Sequence, residues 1–128
     1  MKKEFNILIA DRNPHVREFL KREMTADGYR VQLAENARQL FKWIHHNDHL
    51  DLLIIDPDLP DTDVSSLMFQ LRDQFPLLPV VVHTLFTEKF DHSGSWSDFP
   101  FVEKQGGSIE FLKKLVVDIL RNLDQEHN

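Results

Sequence analysis

The segment DLLIIDPDLPDTDV, residues 51–64, decides the fold. Leu52, Leu53, Ile54 and Ile55 make an unbroken apolar run that stops at Asp56, and Pro57-Asp58-Leu59-Pro60-Asp61 comes next. A strand with no polar alternation is one covered on both faces, the situation of a central strand in a parallel sheet. The proline–aspartate cluster marks a turn. Val64, Leu67, Met68 and Leu71 then recur at helical spacing. Asp56 is thus expected at the carboxyl end of a central strand, where a loop leads into a helix.

The same alternation extends in both directions. Upstream, Asn6 to Ala10 reads as a strand, Asn13-Pro14 as a helix cap and first helical residue, and Val16, Phe19, Leu20 and Met24 as a helical stripe stopped by Gly28. Tyr29 to Ala34 alternates in polarity and reads as an edge strand; Ala37, Leu40, Phe41 and Ile44 mark a second helix closed by a polar loop, His45 to His49. Downstream, Val80 to Val82 is a fourth strand ending at His83-Thr84, and Phe99 to Glu103 a short fifth. Thr87 to Pro100 has no clean period, so a short or irregular fourth helix is expected. Ile109, Leu112, Val116, Ile119, Leu120 and Leu123 give a long last helix. Strict alternation of five strands and five helical positions predicts an α/β fold, a doubly wound five-stranded parallel sheet.

Composition narrows the function. The chain has 128 residues, 41% of them hydrophobic, which suits one domain spanning 1–128. Its net charge of −6 gives no electrostatic footprint for nucleic acid, so no direct nucleic-acid binding is expected. There is no cysteine, hence no disulfide, thiolate metal site or cysteine nucleophile. The only apolar run near the start, Ile7 to Ala10, is too short for a secretion signal. Nothing approaches a membrane span. A soluble, cytoplasmic protein without membrane contact is expected.

In an open parallel sheet the functional crevice lies beyond the carboxyl ends of the strands. The residues there are Asp11, Asp56, Thr84 and Lys104. A carboxylate can be a nucleophile toward a phosphoryl group. A second carboxylate can share a hard cation such as Mg²⁺. A hydroxyl and an ammonium can stabilise phosphoryl oxygens. His45, His46 and His49 match no trusted zinc spacing, and His83 is read as structural, turned away from Thr84 by strand alternation.

On the segments ILIADRN, DLLIIDPDLPDTDV, PVVVHT and FVEK, each on the expected strand, the chain resembles the response-regulator receiver domains of two-component phosphorelay signalling, a flavodoxin-like fold. The resemblance implies Asp56 as phosphoacceptor, Asp11 as the first of an acidic metal-binding pair, Lys104 as the family's lysine, and Thr84 and Phe101 as switch residues. Pro60 and Asp63 fit the loop pattern after the acceptor. It further implies a signalling domain rather than a conventional enzyme, one that catalyses at most its own phosphorylation. A histidine kinase or phosphotransfer protein would be its donor. Protein partners, a second copy included, would use the face of the fourth helical position, strand five and the last helix.

Several positions depart from that pattern. Arg12 stands where the second acid belongs; it cannot ligate Mg²⁺ and keeps its charge, and it is expected to pair with Asp56 or Asp58. Pro57 has no N–H to offer a phosphoryl oxygen. Leu85 follows Thr84 where the family prefers a small residue and is expected to crowd the approach to Asp56. Gln105 and Val64 replace a proline and a glycine. An atypical receiver with weak or absent Mg²⁺ binding at Asp11 and Asp56, acting through protein contacts, is the favoured expectation. A conventional receiver phosphorylated on Asp56 by a histidine kinase is the alternative. No flavin or nucleotide cofactor is expected, because Asp11-Arg12-Asn13-Pro14 is not a glycine-rich phosphate cradle.

Overall fold

The computed structural model describes residues 4–46, 49–85 and 95–126. Strands β1 (Asn6–Ala10), β2 (Arg30–Ala34), β3 (Leu50–Ile55), β4 (Val80–Thr84) and β5 (Phe101–Glu103) alternate with helices α1 (Pro14–Ala26), α2 (Ala37–His46) and α3 (Val64–Gln74), and α4 (Ser108–Glu126) closes the sequence of elements. The strands form one sheet in the order β2-β1-β3-β4-β5, with every pairing parallel. The doubly wound five-stranded parallel sheet is therefore as expected, with β3 at its centre and β2 at an edge.

Two apolar cores explain why the sheet needs helices on both sides. Ile7, Ile9, Leu52, Ile54, Val81 and Val102 pack with Leu20 and Met24 of α1 and Leu112, Val116 and Leu120 of α4. The intervening residues Leu8, Leu53, Ile55, Val80 and Val82 pack with Leu40 and Ile44 of α2 and Leu67 and Leu71 of α3. Successive strand side chains point to opposite faces, so the continuous apolar runs feed both layers at once.

Local signals acted as read. Asn13 caps α1 through Oδ1, which accepts from the amides of His15 and Val16, and Pro14 is the first helical residue. Gly28 follows the helix at φ 96°, a left-handed conformation that costs glycine least. Trp43 covers the edge strand, its Nε1 donating to the Leu33 carbonyl at 3.1 Å.

Some boundaries differ. His45 and His46 belong to α2 rather than to a loop, and His45 packs edge-on against Phe75. β5 starts at Phe101, because Phe99 already closes a turn onto Trp96. The expected fourth helix over 87–100 falls mostly on residues 86–94, outside the described residues. Its last part is a 3₁₀ turn, Ser95–Asp98, docked on α3 by the Trp96 Nε1 bond to the Val64 carbonyl at 3.1 Å. Among the described residues no helix is long and apolar enough to cross a membrane.

Candidate functional site

The sheet's hydrogen bonds continue just past the strand ends and fix the site's backbone. The Asp11 amide donates to the Ala34 carbonyl at 3.0 Å, the Asp56 amide to Ala10 at 2.9 Å, and the Lys104 amide to Thr84 at 2.9 Å. Residues far apart in sequence are thereby set on one rim, and all four expected strand-end residues meet there.

Asp56 is 7% exposed and both of its oxygens are engaged. Oδ1 accepts from Thr84 Oγ1 at 2.7 Å and from the Asp58 amide at 3.0 Å. Oδ2 lies 2.6 Å from Lys104 Nζ, which also reaches Asp11 Oδ2 at 2.7 Å. The other Asp11 oxygen accepts from the Asn13 amide at 2.9 Å. One ammonium thus bridges two buried carboxylates.

Burial raises the Asp11 pKa above the usual carboxylate value, and the bonds from Lys104 and the Asn13 amide only partly offset it; the nearby Asp56 charge adds to the rise. Burial pulls the Lys104 pKa down, but hydrogen bonds and charge from both aspartates outweigh that and hold it above its ordinary value. The asymmetry is physical: the lysine has two counter-charges for its one, whereas Asp11 shares its cation with a second carboxylate.

Arg12 finds Asp58, not Asp56. Its Nε donates to the Asp58 carbonyl at 2.8 Å and its Nη2 lies 3.4 Å from Asp58 Oδ1. Both side chains are about half exposed, so the charge pair itself contributes no more than about 1 kcal/mol; the charged donor on a main-chain carbonyl is the more specific contact. Pro57 and Asp58 lie in the loop directly after the acceptor, and Asp63 caps α3, accepting from the Ser66 amide at 2.8 Å. Leu85 follows β4 and is 55% exposed. Phe101 is half-buried against the α2–α3 core.

His83 shares the face of Val81 while Thr84 shares that of Val82, as strand alternation required. The histidine is buried and its Nδ1 has no hydrogen-bond partner among the described residues. Burial, with help from the Lys104 charge, drops its pKa to about 4.

Two residues escaped the sequence reading. Arg17 Nη1 donates to the carbonyls of Asp11 at 2.8 Å and Arg12 at 3.1 Å, bracing the loop that carries both. Asp61 accepts from the amides of Ala37 and Arg38 at 2.8 and 3.0 Å, capping α2 from the β3–α3 loop. Neither is signalled by its residue type: an arginine in the first turn of a helix and a turn aspartate look ordinary until their main-chain partners are known.

An apolar groove of about 490 Å³, lined by Ile44, Leu50, Phe75, Leu77 and Leu123 among others, lies at the amino-terminal rim of β3 and β4 and includes none of the strand-end residues.

The family profile of the response regulator receiver domain matches residues 7–96. The chain is 34% identical over 77 residues to the DNA-binding transcriptional regulator NtrC of Bradyrhizobium sp. (strain RP501 Parasponia), covering 60% of this chain and 16% of that protein. It is 37% identical over 79 residues to the virulence transcriptional regulatory protein PhoP of Salmonella typhimurium (strain 14028s / SGSC 2262), covering 61% of this chain and 34% of that one. The chain therefore spans about a third or less of these relatives. The response regulator TrrA of Thermotoga maritima, solved in complex with Mg(2+)-BeF, superposes with a TM-score of 0.78 at 25% identity, over 90% of this chain and 98% of that one. TrrA solved in complex with the histidine kinase ThkA gives a TM-score of 0.76 at 28% identity, over 91% and 98%.

Proposed function

The chain belongs to the response regulator receiver domain family, and from that membership we propose that it is an atypical receiver in which side-chain cations take over charge that a divalent ion supplies elsewhere. Receiver domains are signalling domains of two-component systems, and TrrA holds Mg(2+)-BeF. Impaired Mg²⁺ binding is the reading that this chain's own residues favour.

The observation that carries it is Arg12 Nε on the Asp58 carbonyl at 2.8 Å. A hard cation seeks several oxygen ligands. Here Asp11 and Asp56 both hold Lys104, the Asp58 carbonyl holds a guanidinium, and the position after Asp11 offers no acid. This donor set fits Mg²⁺ poorly. Output then rests on protein contacts, through the turn Ser95–Asp98, β5 and α4, with Thr84 and Phe101 as the groups that would respond to a change at Asp56. A second copy is one such partner.

Calorimetric Mg²⁺ titration tests this. Weak binding is expected for the native chain, and tighter binding for Arg12→Asp, which restores an acid. Tight binding to the native chain that Asp11→Ala abolishes would sink the reading.

The conventional reading, phosphorylation of Asp56 by a histidine kinase or phosphotransfer protein, is supported by one specific arrangement. Asp56 lies within hydrogen-bond reach of both Thr84 and Lys104, and TrrA is seen with the histidine kinase ThkA. Phosphodonor treatment with Mg²⁺, followed by intact mass, tests it; an adduct absent in Asp56→Asn supports it.

A further inference from the structure

We propose that Arg12 is a positioning residue that lets Asp56 accept a phosphoryl group without a divalent metal ion. The inference rests on the reading that Arg12 stands in the metal's place, and goes further by assigning the site a metal-free activity.

Three linked contacts carry it. Arg17 Nη1 donates to the carbonyls of Asp11 and Arg12 at 2.8 and 3.1 Å, so the β1–α1 loop is braced. From that loop Arg12 Nε and Nη2 fork onto the carbonyl and carboxylate of Asp58, at 2.8 and 3.4 Å. The amide of the same Asp58 points at Asp56 Oδ1 at 3.0 Å. Arg12 therefore ties two loops together across the rim, as a shared cation would, and anchors through its carbonyl the residue whose own amide, in the preceding peptide, faces the acceptor. Pro57 has no N–H, which leaves the Asp58 amide as the first main-chain donor after Asp56. Lys104 and Thr84 are already in place on the acceptor's two oxygens. The positive charge and the donors around the acceptor are thus fixed protein groups, held before the reaction starts and available to an arriving phosphoryl group.

The step is a simple displacement. An Asp56 oxygen forms a bond to the phosphorus of a phosphoramidate or phosphohistidine donor. The donor's P–N bond breaks, its electron pair leaves with nitrogen, and solvent supplies the proton that the departing nitrogen takes up.

The test uses the full chain, potassium phosphoramidate as donor, and intact mass over time, with either Mg²⁺ or excess EDTA. The native chain is expected to gain one phosphoryl group at similar rates in both, and Asp56→Asn none. Arg12→Ala is expected to lose roughly a hundredfold of the EDTA rate, the scale of removing one preorganised donor. Arg12→Lys, which keeps the charge but not the fork, should recover part of it, and Arg12→Asp should label only with Mg²⁺. A purely structural role for Arg12 would not change the ratio of the two rates. An Arg12→Ala variant that labels like the native chain in EDTA overturns the proposal. So does a native chain that labels under neither condition, which leaves the impaired-metal reading standing. A native chain that labels only with Mg²⁺ overturns both.

Discussion

Lys104 Nζ sits 2.6 Å from Asp56 Oδ2, on the oxygen opposite the one that Thr84 holds. The contact joins the end of β3 to the residue after β5, and the same ammonium also reaches Asp11 at 2.7 Å. Removing one member of a buried ion pair strands the other charge and typically costs about 3–5 kcal/mol. Lys104→Met is therefore expected to lower stability by about that much at neutral pH. The loss should shrink in acid, where the stranded Asp11 carboxylate takes up a proton. Urea unfolding of both proteins across that range measures it, and a pH-independent difference would mean that the ammonium is not compensating those charges.

Asp11 behaves in the opposite sense. Its pKa is raised by burial beyond what Lys104 and the Asn13 amide offset. A carboxyl that holds its proton more tightly folded than unfolded contributes stability below the unfolded value of about 3.8, and that contribution is lost as pH rises through the folded value. At neutral pH the ionised group is thus a net cost. Asp11→Asn should be at least as stable as the native chain at neutral pH, with its advantage fading toward acid. Thermal melts at the two pH values decide it; a variant clearly less stable at neutral pH would contradict the sign.

His83 gives a third window. Its folded pKa lies near 4 against 6.5 unfolded, so folding favours the neutral ring. The resulting stability is fully present above 6.5 and is lost as pH falls from there toward 4. A shift of this size corresponds to roughly 3 kcal/mol. His83→Leu removes the titration and keeps an apolar side chain in the site. The native chain should lose about 3 kcal/mol more than the variant between neutral pH and the folded pKa, by chemical denaturation. Equal losses would show that the buried ring is not titrating as its surroundings demand.

The fold was legible because its signals are local and redundant. The run Leu52 to Ile55, the cap Asn13-Pro14 and the stop at Gly28 each state their own conformation, and the strand-end rule then brings Asp11, Asp56, Thr84 and Lys104 together. Two acids so close together in one loop do not reveal which carboxylate an arginine will choose, so the partner of Arg12 stayed open between Asp56 and Asp58 until the loops were set side by side. His45 and His46 looked like loop because they are polar, yet the last turn of a helix favours positive or protonatable side chains. Arg17 and Asp61 gave no signal, since what each holds is main chain, the loop just upstream for Arg17 and the start of α2 for Asp61.

Asp61 yields the last expectation. It lies in the loop after the acceptor, but its carboxylate receives the Ala37 and Arg38 amides at the start of α2. Slight burial works against its charge, and those amide bonds outweigh the penalty and lower its pKa. A lowered carboxyl contributes stability above its unfolded value of 3.8, lost as pH falls through the folded one. Replacing a capping side chain by alanine typically costs about 1 kcal/mol. Asp61→Ala should cost that much at neutral pH and less in strong acid, and Asp61→Asn, which keeps one acceptor oxygen, should cost less than the alanine. Because the cap ties the β3–α3 loop to α2, amide hydrogen exchange should quicken in the first turn of α2 and in the loop from Pro57 to Asp63 together. Faster exchange confined to α2 would show that the cap serves the helix alone and does not hold the acceptor loop.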